Sequence, residues 1–136
     1  MSEKKLEKVM LADVFEIVKK NINYNYSTSG ENTGNIPLIA CKKLDKGIAK
    51  YVDKEEYEGD VLTIVKHRDA TAGYTFHHKA KLAWNNSVVV IKLKNNKNIN
   101  LDMNSKLLTV QLCPNHLETE SLKQNFLNEK ELYIYI

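Results

Sequence analysis

The segment Ser87 to Lys94 narrows the possible folds more than any other. Within it Val88, Val89, Val90 and Ile91 follow one another without a polar break. β-Branched side chains are stiff about χ1 and pack well on a pleated surface, so the run reads as a strand. Side chains on a strand alternate between faces, so an unbroken apolar run predicts a strand buried on both sides. Shorter runs of similar character surround it: Ile36 to Cys41, Gly47 to Val52, Val61 to Lys66 and Gly73 to His77. The alternation Leu132-Tyr133-Ile134-Tyr135-Ile136 closes the chain as a further strand. Gly47 and Gly59 read as turn glycines between these runs.

Helices are fewer. Leu6, Val9, Met10, Val14 and Ile17 fit one helical face. The same stretch also fits a turn at Leu11-Ala12-Asp13 followed by a strand from Val14 to Val18, and its β-branched content favours the strand. Asp102 or Asn104 is suited to cap a helix running to about Leu112, which Pro114 would stop. A second short helix is predicted from Thr119 to Leu127. Asn21 to Asn35, with Tyr24 and Tyr26, and Asn95 to Asn100 read as polar loops. Trp84, Phe76, Ile39 and Val88 to Ile91 are the core candidates. The strands do not alternate with helices in a regular βαβ pattern. A length of 136 residues suits one domain over 1–136, with residues 1–8 as a polar tail that frays or extends a helix.

Composition excludes several classes. With 43% hydrophobic and 27% charged residues the chain is neither disordered nor collagen-like. No apolar run approaches the roughly 20 residues that span a bilayer, and no apolar stretch follows the charged N-terminus as a secretory signal requires. Cys41 and Cys113 stand far apart and read as reduced thiols, which suits a cytoplasmic protein. Twenty Lys plus Arg against seventeen Asp plus Glu leave a net charge of +3, too small to demand nucleic acid and too large to argue against it. Arg68 is the only arginine.

The usual signatures of catalysis are missing. There is no glycine-rich phosphate loop, no CxxC pair and no HExxH. Glu55, Glu56, Glu58 and Asp60 read as a solvated turn rather than as an acid–base pair. His67, His77 and His78 with a cysteine suggest a metal set, but neighbouring histidines on a strand point to opposite faces, so no metal site is expected. No cofactor and no small-molecule substrate are expected either.

Three segments stand in a telling order: Gly34 to Ala40 (GNIPLIA), Asp45 to Val52 (DKGIAKYV), and Glu58 to Lys94, which runs from EGDVLTIV through AGYTFHH to VVVIKLK. With the opening VMLADVFEIVKK, this order resembles the target recognition domains of type I restriction-modification specificity subunits and of BcgI-like specificity modules. The resemblance is strongest over residues 10–94. It implies an α+β fold, a strand-rich, strongly twisted mixed sheet with two or three short helices. It implies a non-enzymatic domain that recognises specific sequences in double-stranded DNA and directs a partner methyltransferase or restriction complex. The methyltransferase motifs are absent here, as are the long helices that join two recognition domains in such subunits.

In such domains, loops on one face enter the major groove while flanking basic residues meet phosphates. Arg68 lies in the loop after Lys66. Its guanidinium suits guanine O6 and N7 in a two-pronged bond that lysine does not match, and a surface pair with Asp69 is the competing reading. Lys42, Lys43 and Lys46, and Lys66 beside the arginine, suit phosphates or are simply solvated. His67, Thr71, His77 and His78 carry groups able to meet base edges, or are structural. The alternative to DNA reading is a protein-interaction or decoy module of a phage or plasmid defence system that kept this fold. A basic groove formed by the 42–46 and 66–68 loops favours the first; an uncharged apolar face there favours the second. A small nuclease is the weakest reading.

Overall fold

The computed structural model describes residues 5–19, 30–42, 44–66, 72–94, 98–113 and 126–136. The elements are β1 (Leu6–Met10), α1 (Leu11–Val14), β2 (Phe15–Ile17), β3 (Ile36–Ile39), a 3-10 turn (Asp45–Gly47), β4 (Ile48–Val52), β5 (Tyr57–Glu58), β6 (Val61–Val65), β7 (Thr75–His78), β8 (Lys81–Trp84), β9 (Val88–Leu93), α2 (Leu101–Leu112), α3 (Phe126–Glu129) and β10 (Glu131–Tyr135).

They form three sheets, ordered β1-β10, β2-β9-β6-β7 and β4-β3-β8-β5. The first two are antiparallel; the third is mixed, because β3 runs parallel to β8 while pairing antiparallel with β4. The strand-rich α+β expectation holds, and so does the two-sided burial of the valine-rich segment. β9 is a central strand with Val88, Val90 and Ile91 buried, and its neighbour β6 is buried at every residue.

Alternation along these strands feeds two cores. Val61, Val88 and Val90 point towards Ile39, Leu82 and Trp84, so the two four-stranded sheets pack face to face. Leu62, Ile64 and Ile91 point the other way, against Leu11, Val14, Leu101, Leu108, Leu112, Phe126 and Ile134. Helices and β10 therefore cover one face of the central sheet, and the second sheet covers the other.

Several expectations are revised. Leu6–Met10 is a strand paired with β10 from Leu6↔Tyr135 to Met10↔Glu131, neither tail nor helix. The favoured turn-then-strand reading of the next stretch holds: a single helical turn, Leu11–Val14, leads into β2 at Phe15–Ile17. Asn100 caps α2, its Oδ1 accepting the Met103 N–H at 2.9 Å, in place of Asp102 or Asn104. The acidic turn is partly structured: β5 pairs with β8, and Glu56 is buried with its backbone N–H on the Leu82 carbonyl at 2.8 Å. Phe76, expected in the core, is only half-buried. Tyr24, Tyr26, Pro114 and most of the helix expected from Thr119 to Leu127 lie outside the described residues.

The glycines of the quoted segments have structural reasons. A Cβ at Gly34 would come within 2.3 Å of the Val52 carbonyl oxygen, so only glycine lets β4 pass this close to the start of β3. Gly73 has φ +99°, and a Cβ there would meet the Leu112 backbone carbon at 2.9 Å. The end of α2 occupies the space beside Gly73.

Candidate nucleic-acid interface

β7 organises the candidate residues, because it is the edge strand of the central sheet and lies between the 3-10 turn and α2. Pleating sends Thr75 and His77 to one face and Tyr74, Phe76 and His78 to the other. Towards α2, the Thr75 N–H donates to Thr109 Oγ1 at 2.9 Å. His77 is held between two carboxylates: Nε2 bonds to Asp60, and Nδ1 lies 3.9 Å from Asp102. On the other face, His78 Nε2 meets the Lys46 carbonyl at 3.0 Å. A carbonyl only accepts, so Nε2 carries the proton and donates it. Burial holds the His78 imidazole below its ordinary value; the Lys46 bond opposes that shift, while the Lys46 and His77 charges add to it.

The Lys42–Gly47 segment is sharply wound. Asp45 and Lys46 have φ of 53° and 54°, and Gly47 follows with φ +79°. Two successive non-glycine residues in the left-handed region are strained and need outside support. His78 provides it at the Lys46 carbonyl. The Ala40 N–H bonds the Gly47 carbonyl at 2.9 Å, and Lys42 Nζ bonds the Ile48 carbonyl at 3.1 Å and Asp45 Oδ2 at 3.4 Å. Lys42 thus braces its own loop.

Between this turn and α2 runs a groove of about 330 Å³ along β7, with Tyr74 and Phe76 on its floor and Lys46 and Lys106 among its walls. The two rings stack with centroids 6.3 Å apart and planes 12° from parallel. The structure brings Lys42, Lys46, His77 and His78 to one end of β7. Lys66 lies at the other end, its N–H on the Ser87 carbonyl at 3.0 Å, beyond the Val65–Tyr74 bond that closes the hairpin. Lys43, His67, Arg68 and Thr71 lie outside the described residues. The loop that carries Arg68 joins the described chain at Lys66 and Ala72, next to the Tyr74 end of the groove. Lys106 and Tyr74 escaped the sequence reading. Their signal is a pairing between α2 and β7, which no local pattern encodes. Among the described residues no group of three or more His, Cys, Asp or Glu could hold a metal ion. No described helix is long and apolar enough to cross a membrane.

Comparison with known proteins identifies the class. The family model for the type I restriction modification DNA specificity domain matches residues 3–133, and the chain belongs to that family. Its fold is similar to a type I restriction-modification system S subunit from M. genitalium, with TM-score 0.74 and 13% identity over 96% of this chain and 34% of that one. It is also similar to the HsdS subunit from Thermoanaerobacter tengcongensis, with TM-score 0.51 and 15% identity over 96% of this chain and 33% of that one. The chain therefore spans about a third of the length of each. No curated protein sequence matches it.

Proposed function

We propose that this chain is one target recognition domain, that it reads a specific sequence in double-stranded DNA, and that it directs a partner DNA methyltransferase in the cytoplasm without catalysing any step itself. The observation that carries the reading is the family match over residues 3–133. The groove along β7 supports it: Lys46 from the 3-10 turn and Lys106 from α2 line it together with the aromatic rings of Tyr74 and Phe76. Phosphate contacts set affinity and position, while contacts to base edges set specificity. Lys46 and Lys66 suit the first role and Arg68 the second. His77 and His78 act here as braces, because the first is paired with carboxylates and the second holds a backbone carbonyl.

A net charge of +3 limits the number of phosphates held. Binding to duplex DNA is expected to be weak for the chain alone and tighter with the methyltransferase partner. The slope of log affinity against log salt should be shallow, on the order of −3 to −5. Fluorescence anisotropy of a labelled duplex across a salt series measures it. Absence of binding at low salt, alone and with the partner, would overturn the reading. So would transfer of a radiolabelled methyl group to DNA by this chain alone, as regards its non-catalytic role.

A further inference from the structure

We propose that the groove between the Asp45–Gly47 turn and α2 seats the sugar–phosphate backbone of duplex DNA, with Lys46 and Lys106 on either side holding phosphates and Tyr74 and Phe76 packing against the sugars. This rests on the DNA-reading role above and assigns it a surface.

Three observations carry the assignment. The first is strain: Asp45 and Lys46 both sit in the left-handed region, with φ of 53° and 54°, which a lysine adopts only when its surroundings impose it. His78 holds the Lys46 carbonyl, one of several bonds that brace the turn, so the fold keeps an uncommon backbone geometry at a lysine that borders the groove. The second is charge. Neither Lys46 nor Lys106 makes an ion pair among the described residues, whereas Lys42 pairs with Asp45 and Lys81 with Glu55. Asp102, the carboxylate of the groove wall, faces His77 at 3.9 Å. The third is the floor. Tyr74 and Phe76 are half-buried and stacked, an apolar strip in a groove that Lys46 and Lys106 also line. A sugar–phosphate backbone presents that alternation of apolar sugar and anionic phosphate. Lys46 and Lys106 contact the ligand, and His78 is a positioning residue that acts through Lys46.

The test uses the full chain and a labelled duplex over a salt series. Lys46→Gln and Lys106→Gln should each weaken binding to cognate and unrelated duplexes alike, and each should lower the salt slope by about 1. The double variant should lower it by about 2. Lys5→Gln, just before β1, should leave the slope unchanged. His78→Ala should behave like Lys46→Gln. His78→Gln, whose amide nitrogen can reach where Nε2 stood, should restore the slope. Thermal melting of each variant shows that it is folded. If the wild type binds DNA and the slopes of Lys46→Gln and Lys106→Gln match it, the groove assignment is overturned and the DNA-reading role stands. If the wild type binds no duplex, both fall. A slope that drops for His78→Ala and is not restored by His78→Gln would remove His78 from its positioning role.

Discussion

The Asn104 carboxamide takes both backbone polar groups of Tyr135: Oδ1 accepts the Tyr135 N–H at 2.7 Å, and Nδ2 donates to the Tyr135 carbonyl at 2.9 Å. Gln111 does the same one strand repeat away, accepting from the Tyr133 N–H and donating to its carbonyl, each at 2.7 Å. Thr109 meets Thr75 of β7, its Oγ1 accepting the Thr75 N–H at 2.9 Å and lying 3.2 Å from the Thr75 carbonyl. Side chains of α2 thus stand in for a missing strand on the edges of two sheets. Edge strands with unmet backbone groups invite pairing with other chains, and α2 removes that opportunity along β10 and β7. It also fixes β7, on which the candidate groove depends.

Asn104→Ala should therefore be severely destabilising. Asn104 is fully buried, and the change strands the Tyr135 N–H and carbonyl without partners. A loss of about 2–4 kcal/mol is expected, from lost bonds plus unmet polar groups. Urea unfolding followed by circular dichroism measures it. A loss under about 0.5 kcal/mol would show that water satisfies these groups and that the seal contributes little.

Gly73→Ala should destabilise through two independent causes. Its φ of +99° disfavours any Cβ, and the Cβ would meet the Leu112 backbone carbon at 2.9 Å. The combined cost is about 2–4 kcal/mol. Gly34→Ala should also destabilise, for a different reason: its Cβ would lie 2.3 Å from the Val52 carbonyl oxygen, so β3 and β4 must separate. Because Gly73 follows Arg68 by five positions in the sequence and Gly34 lies far from it along the chain, Gly73→Ala should impair DNA binding more than Gly34→Ala under conditions where both variants remain folded. Equal binding by the two would argue against the loop's role.

Stability should fall on mild acidification because of His78. Burial lowers its pKa in the folded chain from the ordinary 6.5. Above that value both states are neutral and the residue adds no pH dependence. Below it the unfolded chain takes up a proton that the folded chain does not, so stability is lost until pH falls past the folded value. His78→Gln cannot titrate, so its stability between about pH 7.5 and about pH 5 should decline less than that of the wild type. Parallel curves would show that His78 does not carry this dependence.

Local pattern made the central strands legible. The Val88–Ile91 run and Val61–Val65 are buried on both faces because the chain places layers on both sides, and apolar continuity records that directly. The alternation before Ile136 likewise identifies β10. Leu6–Met10 was ambiguous because Leu6, Val9 and Met10 fit a helical period; pairing with β10, far along the chain, decides it as a strand. Lys81-Leu82-Ala83-Trp84 has helix-forming residues, and its parallel partner β3 lies more than forty positions earlier. At the site, the lysines were legible as residue types. Their division between the two ends of β7 was not, because it follows from the hairpin register Val61↔His78 to Ile64↔Thr75. Lys106 was hidden for the same reason: only the docking of α2 on β7 brings it to the groove.

Arg68 is the expected base reader. If it holds guanine by two bonds, Arg68→Lys keeps the charge and loses the fork, and discrimination at one base pair should drop by about 1–3 kcal/mol with non-specific binding nearly unchanged. Arg68→Ala should weaken non-specific binding as well. Competition between a cognate duplex and its single-mismatch relatives measures this. An unchanged cognate-to-mismatch ratio for Arg68→Lys at every position would assign base reading elsewhere.

The most direct test of the DNA-recognition role is selection of binding sites from random duplex DNA by the full chain, with and without a methyltransferase partner. A sequence reader should enrich one defined motif over successive rounds, and enrich it more strongly with the partner present. Bound pools that keep the base composition of the input in both conditions would contradict it.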